Sequence, residues 1–345
     1  MSLYSISQRF KTFAEQECHQ SSPLYEHLSH KIASDEELLF ICTSCRKGQP
    51  VPNLLFGAVH YLLMNYSSHS LRYYYPSLVE EPLPVTESFS HFKDFCLQNK
   101  QQLTHLLQTK LVQTNEVRRC AYLYPAFCYM YERAEKPLAL IEIGTSAGLQ
   151  LAWDQYQYQY NHQETTFGNA SSEVKVTSEI AGHTFPHLHS VPPPVSSRTG
   201  YDLHINEEQD FPWLLALIWP EHTERRDLFT SAAKMTKEVD IEFIEGDGVE
   251  RFPDKINEIT ADNAICIFHT HVANQIPESS KRELQAKIKE IGKNHDIFHL
   301  YNNMWDRLLH LDCYINGIEE RYVIGDTDGH GKWFQWNLSQ ESLSR

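Results

Sequence analysis

PLALIEIGTSAGLQL, residues Pro137 to Leu151, decides the fold. Leu138, Ala139, Leu140, Ile141 and Ile143 form a short apolar run suited to a buried central strand, with Glu142 at its end. Gly144 and Gly148 bracket Thr145-Ser146-Ala147, and Leu149 and Leu151 open a new apolar face. The stretch is therefore expected to run from strand to glycine turn to the start of a helix. In open α/β sheets, ligands bind outside the carboxyl ends of the strands. Glycine there lets backbone come close to a ligand, and a helix N-terminus offers N–H groups that no helix carbonyl uses. The functional site is expected at this turn.

Upstream, residues 1–136 carry helical spacing. Ile6, Phe10 and Phe13 mark a helix over Leu3 to Glu17, and Ser22-Pro23 opens another to Ile32. Ser34-Asp35 caps a third over Glu36 to Cys45. Further helices are expected over Leu54 to Asn65, Phe89 to Leu111 and Asn115 to Arg133, the last broken or kinked at Pro125. No alternating strand precedes residue 138.

Downstream, helix is expected to continue from Leu149 to Tyr156, followed by the alternating Tyr156, Tyr158 and Tyr160. Residues 161–195 read as an insertion that holds one candidate strand, Glu173 to Ile180, and ends in the Pro192-Pro193-Pro194 connection. Further strands are expected over Arg198 to Ile205, Val239 to Asp247, Ala264 to Phe268 and Ile297 to Tyr301. Helix is expected over Phe211 to Met235, broken at Trp219-Pro220, and over Ser280 to Gly292. Cys313 to Ile315 and Ile318 to Ile324 flank Asn316-Gly317 as a hairpin, with Lys332 to Leu338 as its closing partner. The expected fold class is α/β. A doubly wound, Rossmann-like sheet over 137–345 follows an N-terminal helical domain over 1–136 and finishes in an antiparallel end.

The 345 residues include 30 basic and 45 acidic side chains, a formal net charge of −15. That balance opposes general attraction to nucleic acid or anionic lipid and makes a small-molecule partner the expectation. No apolar run reaches the ~20 residues that span a bilayer, and the N-terminus lacks the apolar core of a signal peptide, so a cytoplasmic location is expected. Among eight cysteines, Cys42 and Cys45 are the only close pair. Without a second pair at zinc-ligand spacing, buried free thiols are expected rather than a metal centre.

Three acids fall at the ends of three successive strands: Glu142, Asp202 and Asp247. Across the strand ends of one sheet they suit a nucleoside ligand. Glu142 would meet its polar tail, Asp202 its ribose hydroxyls, and Asp247 its base amine. The set resembles class I S-adenosylmethionine-dependent methyltransferases, whose first strand ends in E/D-x-G-x-G-x-G. Here that motif reads Glu142-Ile143-Gly144-Thr145-Ser146-Ala147-Gly148, with Ser146 in place of the middle glycine. The resemblance implies S-adenosylmethionine as cofactor, held by Glu142, Gly144, Ser146, Gly148, Asp202 and Asp247. A closer resemblance, to the bacterial domain-of-unknown-function family number 2332, covers most of the chain. It is carried by residues 112–120, 142–149 and 154–158, by Gly200-Tyr201-Asp202-Leu203, and by Leu217-Ile218-Trp219-Pro220-Glu221 with Arg225.

Other residues have the chemistry to face a substrate. His269 and His271 lie two apart past a buried strand and would point the same way if the extended chain persisted. Each then suits a general base, or both a metal with Asp247 or His330, although no residue is assigned as a metal ligand. Thr114 or Asn115 suits an N-cap, and Asn115 also suits contact with substrate. Arg118 and Arg119 suit an anion, and Asp154 would pair with one of them. Trp219 either packs at the helix break or stacks on substrate.

Three functions compete. The first is a methyltransferase with the helical front as its lid. The second is a non-catalytic nucleoside- or partner-binding protein of the same fold. The third is a serine hydrolase using Ser146 of Gly144-Thr145-Ser146-Ala147-Gly148, with Asp247 and His269 or His330. The hydrolase fold wants strands before such an elbow and an oxyanion segment, and neither is read here.

Overall fold

The computed structural model describes residues 1–66, 68–205 and 210–338. The chain divides into two compact units, Met1–Thr114 with Glu208–Asp227, and Asn115–Glu207 with Leu228–Arg345. These limits differ from a boundary at 136: Asn115 to Lys136 counts with the sheet, and 208–227 with the helices.

The first unit contains α1 (Leu3–Phe13), α2 (Pro23–Ile32), α3 (Glu36–Cys42), α4 (Val51–Asn65), α5 (Ser88–Gln98), α6 (Lys100–Thr109) and α8 (Phe211–Ala216). The single helix expected over 89–111 is split at Asn99, which leaves helical ψ and bonds its side chain back to the Phe95 carbonyl. The core is aromatic: Phe56 stacks on Tyr25 at 4.1 Å and on Phe13 at 5.9 Å. Glu221, in the segment after α8, accepts from the Ser22 hydroxyl at 2.7 Å and from the Leu24 amide at 3.0 Å. It thereby closes the start of α2, whose free N–H groups need acceptors.

The second unit carries α7 (Cys120–Ala134), most of α9 (Thr223–Thr236), α10 (Gly248–Ile256) and α11 (Glu278–Ile291). Its strands are β1 (Leu138–Ile143), β2 (Gln157–Tyr160), β3 (Thr166–Gly168), β4 (Lys175–Ala181), β5 (Val195–Asp202), β6 (Glu242–Glu245), β7 (Ala264–His269), β8 (Ile297–Tyr301), β9 (Leu309–Ile315), β10 (Ile318–Gly325) and β11 (Trp333–Gln335). Seven strands form a mixed sheet in the order β10-β9-β8-β7-β1-β5-β6. The five from β8 to β6 are parallel, and β9 and β10 close the edge antiparallel. The protein is thus α/β, with β1 at the centre. Apolar residues on one face, among them Ile141, Ile143, Ile265 and Ile267, pack against Phe252 of α10 and Leu284 of α11. On the other face Phe127 of α7 meets Phe268 edge-on at 5.4 Å. Among the described residues no helix is long and apolar enough to cross a membrane.

Lys332 to Leu338 meets the hairpin only at its end, where the Asn337 N–H donates to the Ile324 carbonyl of β10 and Phe334 bridges Thr327, and its strand does not join the hairpin's sheet. Its strand, β11, pairs in parallel with β4, in a second sheet of order β11-β4-β2-β3 that takes in the expected insertion. Nor does a helix follow the glycine turn. Residues 149–152 are turns, and Trp153–Gln155 is a short 3-10 segment. The tyrosine alternation explains how this is tolerated. Tyr156 and Tyr158 are fully buried, and their hydroxyls donate to the carbonyls of Leu149 and Trp153. Buried carbonyls without helical partners thus find donors.

Tyr160 performs a related task for α7, which continues through Pro125 rather than breaking there. Proline has no N–H, so the carbonyl four residues earlier, that of Ala121, loses its helical donor. The Tyr160 hydroxyl donates to that carbonyl at 2.8 Å. Tyr160→Phe is expected to cost about 1–2 kcal/mol in denaturant unfolding. In a Pro125→Ala background, where a backbone N–H returns, the same change should cost less than half as much. Equal costs in the two backgrounds would refute this pairing.

Candidate functional site

The parallel strand order grows outward from β1 in two directions, to β5 and β6 on one side and to β7 and β8 on the other. In open α/β sheets such a reversal marks the place, outside the carboxyl ends of the central strands, where ligands bind. Polar groups gather there: Glu142 ends β1, Asp202 ends β5, Thr270 and His271 follow β7, and Asn302 and Asn303 follow β8. Asp247 follows β6, so the three acids lie at the ends of three adjacent parallel strands, as the sequence order implied.

Glu142 is 4% exposed and sits opposite Gly200 of β5. A Cβ on Gly200 would come within 2.6 Å of the Thr145 side chain. The missing side chain leaves Thr145 room to reach Glu142, to which its hydroxyl donates at 2.6 Å. Burial pushes the Glu142 carboxyl up to about 8. The Thr145 hydrogen bond opposes that rise, nearby Asp202 adds to it, and Arg119 opposes it. At neutral pH Glu142 is therefore mainly a neutral acid.

The turn itself is occupied by protein. Gly144, Ser146 and Gly148 all have positive φ, which accounts for glycine at two of the three positions and places Ser146 in a strained one. The room beside the glycines is filled by Val272 at Gly144 and Phe243 at Gly148. The N–H groups expected to be free at a helix N-terminus are used as well. Ser146 N–H donates to Asp202 at 2.8 Å and Ala147 N–H to Asn115 at 3.3 Å. Asp202 also accepts from the His204 amide at 3.2 Å. Asp247 is exposed and caps α10 through the Val249 amide at 2.8 Å.

His269 and His271 do not face one way. The strand ends at His269, and His271 turns into the left-handed region at φ 56°. His269 is fully buried, with Nε2 3.1 Å from Nε2 of His299, and burial holds it neutral by lowering its pKa to about 3. His271 points elsewhere, its Nδ1 accepting from Asn303 Nδ2 at 3.1 Å. Its pKa falls to about 4 through burial and the charges of Arg119 and His330. The bond from Asn303 leaves the ring proton on Nε2, which makes that atom a donor rather than a base.

Asn115 caps no helix; Glu116 takes that role, accepting from the Arg118 amide ahead of α7. Glu116 also accepts from His330 Nδ1 at 3.1 Å. Arg119 is buried and donates to the Gly329 carbonyl at 3.0 Å, and its guanidinium lies against Thr270. These bonds tie the Gly329 loop and the end of β7 to the start of α7. The Arg118 backbone carbonyl packs against Gly331, where a Cβ would sit 2.5 Å away. Asp154 pairs with Arg198 at 2.6 Å, not with Arg118 or Arg119. Trp219 belongs to the helical unit, edge-on to Phe13 at 5.4 Å and stacked on His222 at 5.3 Å.

The sequence reading did not single out Asn302, Asn303, Thr145 or Gln150. Thr270 donates to Gln150 at 3.0 Å, and the His271 amide donates to Asn302 Oδ1 at 2.7 Å. Asn302-Asn303 directly after a buried strand was the available signal. Among the described residues, buried nitrogens at the strand ends without a hydrogen-bond partner include Asn115 Nδ2, Asn302 Nδ2 and His271 Nε2, together with His269 Nδ1. Such groups are costly unless something accepts from them.

Of the hydrolase candidates, His269 is paired with His299 and His330 with Glu116. All eight cysteines are buried free thiols.

Glu142 predicts a pH signature. The unfolded chain titrates it near its ordinary 4.5 and the folded chain near 8, so the native state retains a proton that the unfolded state releases. Stability from this group is fully present below about 4.5 and is lost as pH rises through about 8. Glu142→Gln is therefore expected to gain on wild type by a few kcal/mol in unfolding free energy between pH 5 and pH 9. Parallel pH profiles for the two proteins would contradict the buried neutral acid.

No curated protein matches the chain. The family described as "Uncharacterized protein conserved in bacteria (DUF2332)" matches residues 7–336. Nearly the whole sequence, from α1 to the residue after β11, is thus accounted for by that family, and the chain belongs to it.

Proposed function

We propose that the strand-end site binds a nucleoside cofactor of the S-adenosylmethionine type and that the protein is a methyltransferase of a small-molecule substrate. The observation that carries this reading is the placement of Glu142, Asp202 and Asp247 at the carboxyl ends of adjacent parallel strands. The order β6-β5-β1-β7-β8 supports a doubly wound, Rossmann-like sheet, in which such acids meet ribose hydroxyls.

The donor set fits the group. Asp202 accepts one backbone N–H on each oxygen and keeps lone pairs for a ribose diol. Phe243 is 38% exposed beside Gly148 and offers a ring face to adenine, with Asp247 next along the chain as acceptor for the amine. A cofactor amino group suits Glu142, whose proton it would displace, and a cofactor carboxylate suits the unpartnered donors of Asn115, His271 and Asn302. When bound, such a cofactor supplies an electrophilic methyl group. The chain's own contribution is orientation, with His271 donating from Nε2 and Arg119 keeping the loops in place.

Calorimetric titration with S-adenosylmethionine and S-adenosylhomocysteine tests the reading. Asp202→Asn keeps an oxygen for the Ser146 N–H but loses the charge, and is expected to weaken binding at least about tenfold, as is Phe243→Ala. Absence of binding to either compound, or affinities unchanged in both variants, would overturn it. One observation favours the non-catalytic alternative: the amides of Ser146 and Ala147 are already engaged by side chains. Binding without transfer of labelled methyl groups to any component of a cell extract would select that alternative.

A further inference from the structure

We propose that Glu132, His187 and His189 form a binding site for a divalent transition metal of the zinc class, separate from the strand-end site. Glu132 lies in the last turn of α7, and the two histidines lie in the segment between β4 and β5. One ligand atom from each of the three falls within 4.8 Å of the others. The convergence is on a single oxygen. Glu132 Oε1 accepts from His187 Nδ1, in a very short bond, and from His189 Nε2 at 2.7 Å. The other oxygen, Glu132 Oε2, is buried and has no hydrogen-bond partner.

The surroundings hold these groups in place. Tyr124 of α7 donates to the His189 carbonyl at 2.7 Å, fixing the segment to the helix. The His189 ring is edge-on to Tyr131 at 5.9 Å, and the two imidazoles meet edge-on at 5.4 Å. With neither histidine in the left-handed region, His187 and His189 both reach Glu132.

Two imidazole nitrogens and one carboxylate oxygen are the donor set of open zinc sites, in which water takes the fourth position. The side chain of His187 is 55% exposed, which gives water and metal a path in. A metal-bound imidazole nitrogen carries no proton, so in the metal-bound state each ring proton sits on the nitrogen that faces away from the metal. Glu132 lies about 18 Å along α7 from Cys120, toward the opposite end of the sheet from Glu142. A metal here would fasten the 182–194 segment to α7 and would not touch the strand-end chemistry.

The test uses the untagged full chain, stripped with a chelator, and zinc competed against a chromophoric chelator. Wild type is expected to take up a single tight zinc, and cobalt in its place should give the visible bands of a four-coordinate site. His187→Ala and His189→Ala should each weaken zinc binding by more than about 100-fold, beyond the cost of losing an outer-shell partner. Glu132→Gln, which keeps the side-chain shape, provides a variant that folds if either histidine variant does not, and it should weaken binding as well. Zinc should raise the melting temperature of wild type and not of the variants. Wild-type uptake no tighter than that of the His187→Ala/His189→Ala double variant would overturn the site. So would variants that lose stability while binding zinc as wild type does, since the three residues would then be only a structural bridge.

Discussion

The turn after β1 has to find acceptors for five consecutive backbone N–H groups, and much of the second unit is arranged to supply them. Gly144 and Thr145 donate to the Tyr201 carbonyl, Ser146 to Asp202, Ala147 to Asn115, and Gly148 to the Thr145 carbonyl. A helix would have offered its N-terminal amides to a ligand. This turn spends them on the end of β5 and on the polar segment ahead of α7. The carbonyls that a helix would have used are buried as well, and two tyrosine hydroxyls answer them. The DQYQY segment is thus the counterpart of the glycine turn.

With the amides engaged, the remaining polar character of the strand ends resides in side chains. Glu142 is held neutral by burial with one hydroxyl donor and an anionic neighbour, Asp202. Beside it, the nitrogens of Asn115, Asn302 and His271 lack acceptors. A buried acid that keeps its proton and a set of donors without acceptors complement a ligand carrying both a cation and an anion. That complementarity, more than the glycines, sustains the nucleoside reading.

β1 and β7 were legible because each is a short, fully buried apolar run with an acid or a histidine at or beside its end. The three acids were legible because strand order in sequence became adjacency in space. The helix after Gly148 was misread because Leu149 and Leu151 are buried in a turn, and apolar spacing alone does not distinguish the two. β11 was assigned to the wrong sheet because a three-residue strand carries no sign of its partner. The His-x-His pattern occurs twice, at 187–189 and 269–271. At 187–189 the backbone stays out of the left-handed region and the side chains converge on Glu132, whereas at 269–271 the left-handed His271 sends them to different partners. Spacing sets the number of bonds between two side chains, and backbone φ sets where they point.

We propose that Glu142 is a neutral acid that gives up its proton when a cofactor cation binds beside it. Carbon NMR of the glutamate carboxyls, assigned by Glu142→Gln and recorded against pH with and without S-adenosylhomocysteine, tests it most directly. The expected result is a Glu142 resonance that titrates near 8 in the free protein and a carboxyl that stays ionised through neutral pH when the ligand is bound. A resonance that titrates in the ordinary carboxylate range, and that the ligand leaves unmoved, would contradict it.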